Sequence, residues 1–213
     1  MTTTAEGPAG RLGRTAAVVE STRRVGSYLA LTFDDGPDPV HTPHLLSVLR
    51  EHGVTAVFCL WGAHALAHPE IVREIVADGH TLGNHGMHHD DMADWPADRV
   101  RADLEATTAA IRAAVPDAPI PYFRAPFGSW GGTPEVARGL GMVPLGWRVS
   151  VEDWEPPGTA ELVRRVESRL TPGAVVLLHD GGGDRSQTVE AVACLLPRLT
   201  ARGWHFTGPA RRA

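Results

Sequence analysis

An α/β fold, with a barrel favoured over an open sheet, is what this sequence predicts, and three observations carry it. Short apolar runs alternate with helically spaced segments about seven times along the 213 residues. Most of these apolar runs lack polar alternation, so the strands need helices over both faces. Asp34 and Asp35, His85 and His89, Arg124, Asp153 and His179 fall just past the ends of different strands. A barrel mouth collects such ends around one point, whereas an open sheet concentrates them at one crevice.

In chain order, residues 1–24 read as a loosely structured lead-in with a short candidate strand at 16–20. The first core strand, 28–33, runs into Asp34-Asp35, and Gly36-Pro37 then re-aims the chain. Residues 43–52 have helical spacing, with Leu45, Leu46 and Leu49 on one side, and 54–60 form a second strand ending at Trp61-Gly62. Helix 69–78 carries Ile71, Val72, Ile75 and Val76, with Gly79 as its C-terminal stop. A short strand at 80–83 empties into a His-rich loop. The longest helix, 96–114, aligns Val100, Leu104, Thr107, Thr108 and Ile111, and Pro116, Pro119 and Pro121 end it. There follow a strand at 122–124, a glycine-rich loop at 125–132 and a helix capped by Thr133 and running to 140. The remaining elements are a strand at 142–149, a helix at 159–170, a wholly apolar strand at 174–178, a helix at 187–199 and a closing strand at 204–207. With no internal repeat or linker, 25–208 reads as a single domain and 209–213 as a tail.

A net charge of −5 and the lack of any Lys/Arg cluster argue against a nucleic-acid partner. Cys59 and Cys194 lie far apart in apolar context and read as buried thiols, not a disulfide. No apolar run reaches membrane-spanning length, and the first dozen residues have no apolar core of the kind a signal peptide needs. If Met1 is the natural start, a cytoplasmic location is expected, with export by another route left open. Oligomeric state is not legible.

The chemistry is read from the strand ends. Adjacent residues on an extended strand point oppositely, so Asp34 and Asp35 have different jobs unless the chain bends between them. His85 and His89, four apart, would share one face of a helical turn and a metal. Two imidazoles and one carboxylate form a facial triad that leaves positions for water and substrate. His88 is the outsider of this group, and Asp90 and Asp91 read as a helix cap or as outer acceptors. Arg124 either pairs with a buried Asp or steers an anion, and the 125–128 turn is suited to aim a backbone N–H at an oxyanion. His179 either serves as an acid beside a carboxylate or is a core histidine held by Asp180. Trp61, Trp130, Trp147 and Trp154 either stack on sugar rings or fill core and loops.

Five ordered stretches together resemble the polysaccharide deacetylases, the NodB-homology group of carbohydrate esterase family 4. They are Thr32-Phe33-Asp34-Asp35-Gly36-Pro37, His85-Gly86-Met87-His88-His89, Arg124-Ala125-Pro126-Phe127, Asp153-Trp154 and Leu177-Leu178-His179. The resemblance covers 28–207 and implies a distorted (β/α)7 barrel, in agreement with the strand count. By likeness, Asp35, His85 and His89 hold one divalent ion, zinc with cobalt or nickel as alternatives, and Asp34 is the general base. Arg124 would orient that base, Phe127 would lend its backbone amide to the oxyanion, and His179 would be the general acid. Asp153 would support the Arg/His charges, Leu177 would line the acetyl pocket, and Trp130 and Trp154 would contact substrate.

Three positions depart from the family's pattern. Ser150 stands where many members have Asp, Phe127 where many have Tyr, and Cys59 where Phe is common. The implied activity is removal of N-acetyl groups from amino-sugar oligomers or polysaccharides, chitooligosaccharide or peptidoglycan-like. The alternatives are an esterase on O-acetylated xylan, a deacylase of a small N-acyl intermediate and, outside enzymes, a saccharide-binding module.

Overall fold

A computed structural model describes residues 18–211. Its strands are β1 (Tyr28–Asp34), β2 (Val57–Leu60), β3 (Thr81–Asn84), β4 (Tyr122–Phe123), β5 (Val143–Pro144), β6 (Val149–Ser150), β7 (Ala174–His179) and β8 (His205–Phe206). They form one sheet in the order β5-β4-β3-β2-β1-β7-β6, with β8 paired to the start of β1, and every pairing is parallel. Helices α1 (His41–Glu51), α2 (Gly62–Ala67), α3 (Pro69–Ala77), α4 (Ala97–Ala114), α5 (Thr133–Gly139), α6 (Thr159–Arg169) and α7 (Ser186–Ala201) supply the crossovers. The sheet curls into a distorted barrel, the form that polar residues at the ends of several strands favoured over an open sheet and that the family resemblance implied.

The pleat of β1 explains how the barrel is filled. Leu29, Leu31 and Phe33 point outward into the helix-covered core, beside Leu45, Leu46 and Leu49 of α1. Ala30 points the other way, into a small interior cluster with Val57, Cys59, Tyr122 and Val175. Thr32 and Asp34 continue that alternation, and both meet Arg124 in the interior. The interior therefore changes from apolar to charged towards the ends of the strands. Both strand faces are buried, as the uninterrupted apolar runs required.

Several boundaries differ from expectation for identifiable reasons. The strand expected over 142–149 is two short ones, because Gly146 and its neighbours carry the chain from the β5 edge of the sheet to the β6 edge. Helix α2 is absent from the sequence reading, since six residues of Gly, Ala, His and Leu show no apolar period. Thr133 lies inside α5, not at its cap, and its hydroxyl donates to the Trp130 carbonyl. The lead-in expected to be loose through Arg24 is docked from Val19 onward. The Val19 amide donates to Pro144 O and its carbonyl accepts from Gly146 N, each at 2.8 Å. Thr22 N donates to Gly173 O at 2.9 Å on the β7 side. Of the candidate strand at 16–20, residues 16 and 17 lie outside the described residues. The tail begins docked as well, with Ala210 N donating to Ser21 O at 2.8 Å. Among the described residues, no helix is long and apolar enough to cross a membrane.

Candidate active site

Asp34 ends β1 and Asp35 follows at φ 74°, a left-handed conformation uncommon for Asp. That turn undoes the alternation of the pleat, so both carboxylates line one cavity. His85 follows β3 and reaches the same cavity with His89, but not from a helix as the i, i+4 spacing suggested. Gly86 (φ 76°) and His89 (φ 60°) fold the segment into a compact loop. Gly86 N donates to Asn84 Oδ1 and Met87 N to Asp103 Oδ1, each at 3.0 Å, and these bonds hold the loop in shape. His88 is exposed, the outsider its spacing implied. Asp91 accepts from Ala93 N and does not cap α4.

One ligand atom from each of Asp35, His85 and His89 lies within 4.8 Å of the others. Asp35 Oδ1 is 3.4 Å from His85 Nε2 and 3.5 Å from His89 Nε2. His85 Nδ1 sits 2.8 Å from the Arg124 carbonyl, which can only accept, so that nitrogen carries the proton. In the neutral ring Nε2 then presents a lone pair to a carboxylate oxygen. A cation can take the place of a second ring proton between that lone pair and the carboxylate, and the residues fit a divalent ion. Burial opposes ionisation of Asp35, yet the hydrogen bond and charge of His85, with His179 and His89, hold its carboxyl well below the usual range. Burial likewise opposes a charged His85, but Asp34 and Asp35 outweigh it and raise its pKa. In His89, burial and the neighbouring His85 win, and its pKa falls.

Two further groups face this triad across adjacent strands, because Asp34 of β1 and His179 of β7 are register partners. Arg124, fully buried just past β4, donates from Nη1 to Asp34 Oδ1 at 2.7 Å and to Thr32 Oγ1 at 2.9 Å. Its Nε donates to Leu145 O at 2.9 Å and its Nη2 to Gly146 O at 3.1 Å. This set of partners satisfies the guanidinium's donors and offsets the cost of burying its charge. His179 places Nδ1 2.8 Å from Asp153 Oδ1, and its backbone N donates to Oδ2 at 2.9 Å. Asp153 Oδ2 also accepts from Thr188 Oγ1 at 2.9 Å, so this carboxylate serves His179 and not Arg124. Burial would lower the His179 pKa, but the Asp153 hydrogen bond and charge raise it.

The family model for polysaccharide deacetylases matches residues 22–145. A chitooligosaccharide deacetylase of Sinorhizobium fredii is 38% identical over 185 residues, covering 82% of this chain and 86% of its own length. A solved peptidoglycan N-acetylglucosamine deacetylase superposes with TM-score 0.84 at 30% identity, covering 91% of this chain and 90% of that one. The chain belongs to the polysaccharide deacetylase family.

Fold alone does not guarantee activity in this family. A carbohydrate esterase family 4 pseudoenzyme from Bacillus anthracis superposes with TM-score 0.79 at 28% identity, over 84% of this chain and 63% of that one. In the present chain the three donors are assembled around one point, and it is a metal-dependent deacetylase. The cavity of this deacetylase, about 440 Å³, is walled by Phe127, Trp147, Trp154 and Leu177 around the polar groups. Phe127, at φ 58°, is 71% exposed and meets the His89 ring edge-on at 4.3 Å, while Trp154 stands edge-on to His179 at 5.3 Å.

Trp130, expected to contact substrate, is not in the cavity wall and packs edge-on against Phe123 of β4. Trp147 takes that place. It lies between β5 and β6, on the stretch expected to be strand, which hid its position at the mouth. Ser150 has a buried hydroxyl with no partner among the described residues. Cys59 is buried beside Asp34, and burial first, then the Asp34 charge, keeps its thiol neutral. Sequence reasoning also missed Trp61 and His64 as contacts of Asp35, although Trp61 directly follows β2 and could have been found by applying the strand-end criterion to it.

Proposed function

We propose that this deacetylase hydrolyses the N-acetyl groups of N-acetylglucosamine-containing glycans, with zinc held by Asp35, His85 and His89. One observation carries the reading. Asp34, anchored by Arg124, and His179, anchored by Asp153, stand side by side at the ends of β1 and β7 in the cavity that holds the three donors. A base and an acid flanking a cation site is the arrangement that acyl transfer to water needs. The sugar class is supported by relatives named for chitooligosaccharide and for peptidoglycan N-acetylglucosamine deacetylation. Zinc suits two imidazoles and a carboxylate, and cobalt or nickel would serve in its place.

A divalent ion in this site supplies Lewis acidity towards the acyl carbonyl and lowers the pKa of water. The chain's own residues do the rest. Asp34 has Oδ1 committed to Arg124, so Oδ2 takes the proton of the attacking water. The Phe127 backbone amide donates to the developing oxyanion, a contribution of about 3 kcal/mol for one well-aimed donor. His179, with Nδ1–H donated to Asp153, delivers a proton from Nε2 to the departing nitrogen. Leu177 packs against the acetyl methyl, and Trp154 offers an exposed ring face to the sugar.

The test is acetate release from N-acetylglucosamine oligomers, peptidoglycan fragments, acetylated xylan and small N-acyl sugars, metal-stripped and with zinc, cobalt or nickel restored. Metal-dependent release from the oligomers or fragments is expected. Release from xylan alone would replace the amide reading by an ester one, and neither metal binding nor release would leave a saccharide-binding module. An amine leaves less readily than an alcohol, so His179→Ala should cut N-acetyl turnover by about 10²–10⁴-fold and O-acetyl turnover less. Equal losses would remove His179 as the acid.

A further inference from the structure

The start of α2 touches both loops that carry the metal donors. Trp61 Nε1 donates to Asp35 Oδ1 at 2.9 Å, the same oxygen that faces His85 and His89. His64 Nδ1 lies 2.8 Å from the Asp35 carbonyl, which can only accept, so the imidazole donates there. The backbone adds three more bonds at 3.0 Å. Trp61 N donates to Gly36 O, Gly62 N to Gly86 O, and Ala63 N to Met87 O. The Trp61 ring also stacks with two imidazoles, His64 at 4.3 Å and His89 at 5.0 Å.

These contacts fall on a strained residue. Asp35 holds φ 74°, a conformation that costs an L-residue without local support about 1–2 kcal/mol. One clamp grips its carbonyl and another its carboxylate, so neither end is free to rotate back to an extended backbone. The third ligand, His89, is also at positive φ and has the Trp61 ring against one side. A loop-borne site gains affinity when its donors are held in place before the ion arrives.

We infer that Trp61 and His64 are positioning residues that preassemble the metal site, Trp61 by orienting the Asp35 carboxylate and the His89 ring, and His64 by locking the Asp35 backbone. The inference rests on the metal reading above and adds a role for residues outside the donor triad. Neither residue is among those that line the cavity. Their effect is on how tightly, and in what geometry, the ion is held.

The experiment compares metal-stripped wild type, Trp61→Phe and His64→Ala by competition for Zn²⁺ against a chromophoric chelator. It also records the visible spectrum of each protein loaded with Co²⁺, and the Tm of each with and without Zn²⁺. Trp61→Phe keeps a ring for the stack and deletes the indole N–H. The expected result is Zn²⁺ affinity about 10–100-fold weaker, the magnitude usual for loss of a residue that orients a metal ligand. A shifted Co²⁺ spectrum, a smaller Zn²⁺-induced rise in Tm and, at saturating metal, an unchanged KM should accompany it. His64→Ala should also weaken Zn²⁺ binding, and it carries the test if Trp61→Phe does not fold. Wild-type Zn²⁺ affinity and an unaltered Co²⁺ spectrum in the folded variants would overturn the inference, even if their metal-free Tm fell. Failure of the wild type to bind either ion would instead bring down the metal reading beneath it.

Discussion

His80 shows how one buried side chain sets a pH limit on stability. Its Nδ1 accepts from Ala56 N at 3.1 Å, so the ring proton sits on Nε2, which is buried with no partner among the described residues. Burial is the leading cause of a pKa lowered to about 4 from the ordinary 6.5. Below pH 6.5 the unfolded chain binds a proton that the folded one refuses until about 4, so stability is lost as pH falls through that window. His80→Asn, which keeps an acceptor for Ala56 N, should flatten this section of the curve. Urea denaturation of wild type and variant at pH 5 and pH 7 measures it, and parallel losses in both would exclude His80 as the source.

At the scale of elements, the site depends on how closely two strand-end loops approach. The segment after β7 lies against the turn after β1, with Asp180 N donating to Asp34 O at 3.0 Å. A Cβ on Gly181 would fall 2.3 Å from the Asp35 carbonyl oxygen, so an alanine there has to displace the backbone of a metal ligand. Gly36, in the turn itself, faces the Asp180 carboxylate equally closely. Gly181→Ala should therefore weaken Zn²⁺ binding about tenfold or more, as other disturbances of a ligand's support do. Gly208→Ala, with nothing within 4 Å of the new methyl, should leave it unchanged. Chelator competition on both variants makes the comparison.

For the whole molecule, closure of the barrel relies on a segment outside the regular strands. The chain runs from β5 at one edge of the sheet to β6 at the other within a few residues, and 19–22 lie along that seam. Val19, 2% exposed, packs into the interior cluster with Leu145 and Val175. Val19→Ala should cost about 2 kcal/mol in lost burial and cavity. For a chain of this size that is about 4–8 °C in Tm. Val25→Ala, at a residue 97% exposed, should leave Tm where it is. Thermal unfolding of the two variants would reject the seam role if their Tm values matched.

The α/β class, the order of the principal strands and helices, and the location of Asp34, Asp35, His85, His89, Arg124, Asp153 and His179 at strand ends are legible in the amino-acid order alone. Those features are written in local patterns, apolar runs closing on charged residues, that need no partner to be recognised. It took the folded chain to show that the two histidines meet through a loop instead of a helix, that Trp147 and not Trp130 walls the cavity, and that Trp61 and His64 grip Asp35. The same holds for the closing of the barrel by 19–22. Each of these is a contact between segments far apart in the chain, set by backbone turns at positive φ and by side-chain directions that no single-segment periodicity encodes.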